Sequence, residues 1–164
     1  MSVSQRHYRN EDSNRDHMNE ALKIGKDISS FFTYSCQPKS RDELLEIIKD
    51  RITKDGPKCD LNDIDVSLIT DMAWLFNGSI FNGNISKWDV SNVANMTRMF
   101  SFSNFNGDIS KWDVRNVRDM SWLFYDSKFT GDISNWKINE NCKIYNMFGG
   151  CKISKEHRPK LPLK

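Results

Sequence analysis

Three aspartates recur at a fixed interval, Asp65, Asp89 and Asp113, each opening a short Asp-Val-Ser or Asp-Val-Arg phrase. Lys87 and Lys111 stand two residues before the second and third of them, and Arg115 stands two residues after the last. A column of carboxylates can gather a cation, but calcium wants six or more oxygen ligands and usually a looped backbone. Stacked carboxylates otherwise repel, and the neighbouring lysines offset that repulsion. Asp65, Lys87, Asp89, Lys111, Asp113 and Arg115 therefore read in two ways, as a solvated, charge-balanced face or as a partner-binding face. A second column holds Trp74, Arg98, Trp122 and Asn146, with Phe102 and Tyr125 close by. Trp, Tyr and Arg are the residues that carry most binding energy at interfaces, so Trp74, Arg98, Phe102, Trp122 and Tyr125 form a candidate docking patch. The other reading of this column is an internal stack, with Arg98 lying against the indoles as a cation–π rung.

Catalytic chemistry has little to stand on. His7, His17 and His157 lie outside the recurring stretch, and no Ser/His/Asp or Cys/His arrangement presents itself. There is no glycine-rich phosphate loop. No enzymatic activity, catalytic residue, cofactor or metal is expected. Cys36, Cys59, Cys142 and Cys151 form no Cys-x-x-Cys pair, and scattered thiols of this kind belong to a reducing compartment. Cys142 and Cys151 alone are too few ligands for zinc.

These residues are placed by one 24-residue phrase written three times, from Asp65, Asp89 and Asp113 through Trp136, without insertions. A fourth, degraded copy over residues 137–151 keeps Ile138, Ile144, Met147 and Phe148 in phase. The columns are regular: Ile85, Ile109 and Ile133; Trp88, Trp112 and Trp136; Val90, Val114 and Ile138. Ile-x-x-Trp-x-Val reads as a short strand. Met96, Met99 and Phe100 have the spacing of one helical turn. Asp71, Asn95 and Asp119 precede that turn as N-caps. Phe81, Phe105 and Phe129 follow, then Gly83, Gly107 and Gly131 in the turn back. Each copy thus predicts strand, short helix and return. A fixed period in this range implies stacked units, each too small to bury its own apolar face.

The fold expected is an α/β solenoid, a stack of 24-residue strand/short-helix units with parallel strands and an N-terminal helical cap. Its parts are a polar extension over residues 1–39, a cap over 40–58, the repeats over 59–151 and a basic tail over 152–164. In the extension, Met18, Leu22, Gly25, Ile28 and Phe32 space an amphipathic helix that can cap, dimerise or dock on a partner. In the cap, Ser40 and Glu43 form a capping box before a stripe of Leu44, Leu45, Ile48 and Ile52, and Gly56-Pro57 ends the helix.

The phrase FNGNISKWDVSNV, with the Met-x-x-Met-Phe that follows, resembles the BspA-like leucine-rich-repeat family, also known as a mycoplasma-type lipoprotein repeat of unknown function. ELLEIIKDRITKDGPKCDLNDIDVSLITDM resembles the segment that opens such arrays. The resemblance covers about residues 40–150. The resemblance implies a leucine-rich-repeat-like solenoid that binds other proteins, often at a cell surface, and no catalytic residues.

The formal net charge of +2 implies no strong field for nucleic acid or an anionic membrane. No stretch reaches the length of a membrane span. The N-terminus lacks the apolar core of a signal peptide, so a cytoplasmic location is expected, with unconventional export to the surface as the alternative. The function expected is a non-enzymatic protein–protein interaction module, an adaptor or steric inhibitor of a partner such as a host or defence protein. The alternatives are a surface adhesion protein and an inhibitor that competes with nucleic acid.

Overall fold

A computed structural model describes residues 34–162. The helix expected around Met18 to Phe32, and with it a dimer element there, lies outside the described residues.

Among the described residues there is one α-helix, α1 (Arg41–Asp55), which precedes the copies. Ser40 caps it, its Oγ accepting from the Glu43 amide at 3.2 Å, while Glu43 reaches back past Ser40 and accepts from the Lys39 amide at 2.9 Å, so the capping box expected from the sequence is only half formed. The Ser40 bond satisfies an amide that a helix start leaves without a partner. Gly56, at φ 84°, ends the helix and donates to the Ile52 carbonyl at 3.0 Å. Leu44, Ile47 and Ile48 are buried against the first copy, with Leu45 and Ile52 half-buried beside them. Arg41 and Arg51 pin the helix down. Arg41 Nε donates to the Ala73 carbonyl at 2.6 Å, and Arg51 reaches Asp55 and Asp63, each at 2.8 Å, and the Asp60 carbonyl at 2.9 Å.

Just before α1, Cys36 forms a parallel bridge with Ile64, and Asp65 donates its amide to the Cys36 carbonyl at 2.9 Å. This short segment occupies the place next to the first copy that the sequence pattern assigned to the helical cap.

The copies themselves differ from the expected fold. Among the described residues there is no β-strand and no second α-helix, only isolated parallel bridges such as Asp71 to Asn95, Asn95 to Asp119 and Asp119 to Lys143. The parallel sheet and the leucine-rich-repeat solenoid of strands and short helices do not form. The Ile-x-x-Trp phrase cannot be a strand, because residues three apart in a strand face opposite sides. Both are buried, since the chain turns between them: Trp88 donates its amide to the Ile85 carbonyl at 3.2 Å, and Trp112 and Trp136 repeat this to Ile109 and Ile133. Another turn follows at once, from Val90 to Val93, with its counterparts at Val66 to Ile69 and Val114 to Val117.

The expected helical turn is replaced by consecutive tight turns. Met99 donates to Met96, Ser101 to Arg98 and Ser103 to Phe100, each closing three residues back. The amides between them point out of the copy. Those of Met96, Arg98, Phe100 and Phe102 donate to the carbonyls of Asp119, Ser121, Leu123 and Tyr125 in the next copy, at 2.8–3.0 Å. The same four-bond ladder joins the first copy to the second and the third to the fourth. A helix would spend these amides on its own carbonyls four residues back. Left-handed backbone at Arg98 (φ 55°), between Met96 and Met99, is what prevents it.

The Asp and Asn residues read as N-caps are turn-formers of another kind. Asp71, Asn95 and Asp119 accept from the amides of Ala73, Thr97 and Ser121 at 2.8–3.0 Å. Such Asx turns fold the chain back within two residues.

Inside the copies lie three aromatic columns. Phe76, Phe100, Phe124 and Phe148 stack with centroids 5.5, 5.6 and 5.9 Å apart and rings within 5° of parallel. Phe81, Phe105 and Phe129 form the second column at 6.0 and 6.3 Å. Gly107 is small because a Cβ there would sit 2.9 Å from the Phe105 ring and 3.0 Å from the Gly83 carbonyl, and its column shares this constraint. The tryptophans form the third column and add a directional bond. The indole Nε1 of Trp88, Trp112 and Trp136 donates to the carbonyl of Leu61, Ile85 and Ile109 in the copy before, at 2.8, 3.2 and 3.0 Å. Each of those carbonyls already closes its own turn, so the indole takes its second lone pair.

The basic tail packs rather than frays. Ile153 is buried, the Ile133 amide donates to the His157 carbonyl at 3.0 Å, and Arg158 lies 5.0 Å over the Phe148 ring that ends the first aromatic column.

Replacing Trp112 by Phe keeps most of the buried area and deletes the indole bond, so equilibrium unfolding should show a loss of about 1 kcal/mol. Trp112→Ala also opens a cavity and should lose about 3–5 kcal/mol in the same measurement.

Candidate functional site

Each run of tight turns contains two left-handed residues. In order along the chain they are Trp74 (φ 64°) and Gly78 (64°), Arg98 (55°) and Phe102 (56°), Trp122 (56°) and Asp126 (49°), and Asn146 (50°) and Gly150 (69°). Glycine, Asn and Asp enter this region at little cost, whereas a bulky side chain there costs roughly 1–2 kcal/mol. The left-handed residue turns its side chain outward while its neighbours go inward. Trp74 is 47 % exposed, whereas Met72, Leu75 and Phe76 are buried; Phe102 is 54 % exposed beside buried Phe100.

The copies bring these outward side chains into line. The Arg98 guanidinium lies 4.8 Å from the Trp74 ring and 4.7 Å from the Trp122 ring, held between the two indoles. Tyr145 meets the far side of Trp122 edge-on, at 4.8 Å and 68°. Phe102 and Tyr125 form a second edge-on pair at 5.4 Å. Arg98 is thus the cation–π rung of the stacked reading, half-buried between the two indoles. Tyr145, 62 % exposed, was not among the residues singled out from the sequence. Its signal was available, because it directly precedes Asn146 in the Trp74 column.

The residues expected on an open strand face are spread along turns. Asp65 accepts from the Ser67 amide at 3.0 Å and from Gln37 Nε2 at 2.6 Å, and Asp89 accepts from Ser91 at 3.0 Å. Asp113 accepts from the Arg115 amide at 3.2 Å and pairs with its guanidinium at 2.8 and 2.6 Å. That pairing holds the Asp113 carboxyl down at about 2, chiefly through the Arg115 side-chain hydrogen bond. Lys111 is exposed. Lys87 is also exposed and lines an open cleft of about 370 Å³ with Tyr34, Arg51, Asp60, Asn62 and Asp63. In that cleft burial opposes ionisation of Asp63, but Arg51 and Ser35 hold its carboxyl below the usual range. The four cysteines are buried free thiols, and burial pushes Cys142 up to about 11. His157 Nδ1 lies 3.1 Å from the Thr130 carbonyl; His7 and His17 are outside the described residues.

Residues 50–159 match the profile of a family described as "Mycoplasma protein of unknown function, DUF285". The chain belongs to this family. The DUF285 match spans the end of α1, all four copies and most of the packed tail. It supports the mycoplasma-type half of the resemblance drawn from the sequence and not a BspA-like leucine-rich-repeat assignment, which the turn-built copies also contradict. No curated protein and no solved structure matches the chain.

The geometry separates the outer edge from the core in a way that stability measurements can read. Trp74→Asn removes one cation–π contact and relieves one left-handed strain, so denaturant unfolding should change by about 1 kcal/mol or less. Phe76→Ala, two residues on, should lose about 3–5 kcal/mol. A carboxyl titration followed by NMR should place Asp113 near 2 and move it up toward its ordinary 3.8 in Arg115→Ala. The native pairing is therefore complete above the ordinary carboxyl range and is lost as pH falls through about 2.

Proposed function

We propose that this chain is a non-enzymatic protein-interaction module that acts as an adaptor or steric inhibitor of a partner protein. The observation that carries the reading is the placement of exposed Trp74 and Phe102, with half-buried Arg98 and Trp122 beside them, at left-handed positions on the outer edge. Gly78, Asn146 and Gly150 occupy equivalent positions in the cheaper way, so the backbone does not require bulk there. Strain kept where the fold gains nothing by it points to use. The residue types kept are those that anchor interfaces. The core supports the same reading, because it holds the edge at fixed spacing through the amide ladder and lets it bind without reordering.

No helix among the described residues is long and apolar enough to cross a membrane. The buried free thiols fit a partner met in a reducing compartment.

The test is affinity capture from lysate with the full-length chain and with the double variant Trp74→Asn, Trp122→Asn. A stoichiometric protein held by the first and lost by the second, at unchanged melting temperature, is the expected result. Equal capture by both forms, or capture of nothing, would remove the outer edge from the function.

A further inference from the structure

Arg98 is unlike the arginines around it. Arg41, Arg51, Arg115 and Arg158 each donate to a carbonyl or carboxylate. Arg98 is fixed between two indole faces, yet among the described residues its guanidinium has no acceptor and takes part in no ion pair. Arg118 also lacks an acceptor, but it stands exposed with no ring against it. The chain has thus ordered one planar cation without using its hydrogen bonds. A guanidinium offers five donors in a rigid fork that matches a carboxylate bidentately. Holding the fork still beforehand removes much of the entropy that such a contact otherwise costs.

We propose that Arg98 is the recognition point for a carboxylate, and that the partner docks here through an acidic side chain of a peptide segment flanked by apolar residues. The carboxylate meets the edge of the guanidinium, whose side chain is half-buried between the indoles, and the flanking apolar groups lie on Trp74 and on the Phe102–Tyr125 pair. This rests on the interaction function proposed above and names the chemistry of the partner at that site.

Single-stranded nucleic acid fits the same patch less well. Stacked bases need open aromatic faces. Arg98 occupies one face of Trp122 and Tyr145 covers the other, so that ring has no open face to offer. The overall charge of +2 supplies no field to track a phosphate backbone.

The probe is a pair of random peptide pools that differ only in a fixed central Glu or Gln, presented to the full-length protein at low salt. The Glu pool should be retained over the Gln pool, on the order of tenfold, as expected for a hydrogen bond to a charged group. Arg98→Met should abolish that preference, and Arg98→Lys should weaken it, because an ammonium keeps the charge and loses the fork. The melting temperature checks that each variant is folded. A Glu preference indifferent to Arg98 overturns the proposal, as does Arg98-dependent binding of oligouridylate that exceeds the Glu pool. A Glu preference that emerges only after Glu11, Asp12, Asp16 and Glu20 are neutralised also overturns it, by assigning the guanidinium to the chain's own N-terminal segment. If lysate capture depends on Trp74 and Trp122 but not on Arg98, the interaction function stands and the carboxylate assignment fails.

Discussion

Everything in this molecule depends on where alternate backbone amides point. In the run of tight turns, every second amide closes a turn within its own copy and the others cross to the next. The crossing amides fix the copies in register, since a slip of one residue would exchange the two sets of donors. They also set the spacing at which the phenylalanine and tryptophan columns stack. The polar ladder and the apolar columns therefore specify one another, and neither is available to an isolated copy.

The left-handed residues are the local condition for this arrangement. Continuous right-handed backbone would give a helix, with its amides spent internally. A left-handed residue at the third position of two of the three tight turns in each run, as at Arg98 and Phe102, turns the chain aside and leaves its neighbours' amides free to cross. The same geometry throws that residue's side chain outward. Core and surface are coupled by this one backbone choice: burying Met72, Leu75 and Phe76 turns residue 74 outward whatever its type, and the stacking that builds the core also lines up Trp74, Arg98 and Trp122.

Much of this was legible in the sequence. The period, the buried columns of Ile, Trp, Val and Phe, the N-cap at Ser40, and the Trp–Arg–Trp column all follow from residue spacing. What failed was the conversion of spacing into secondary structure. Met96, Met99 and Phe100 have helical spacing, but a succession of tight turns buries residues at the same intervals. The discriminating clue lay in the columns themselves. Asn146 shares a column with Trp74, and Gly78 and Gly150 share one with Phe102, and those residue types mark left-handed backbone rather than helix. Ile85 and Trp88, three apart and both buried, likewise contradicted a strand. The indole bonds to the copy before were not legible, because a column of tryptophans does not say which carbonyl its nitrogen meets. For the outer edge the sequence named the residues, and the structure supplied the guanidinium held between two rings without an acceptor.

The most direct test of the account is a measurement of scalar couplings across hydrogen bonds by NMR on the full-length chain. The amides of Arg98 and Phe100 should couple to the carbonyls of Ser121 and Leu123 in the next copy. Coupling of those amides to carbonyls four residues back in their own copy would establish a helix, and would contradict both the ladder and the outward edge it creates.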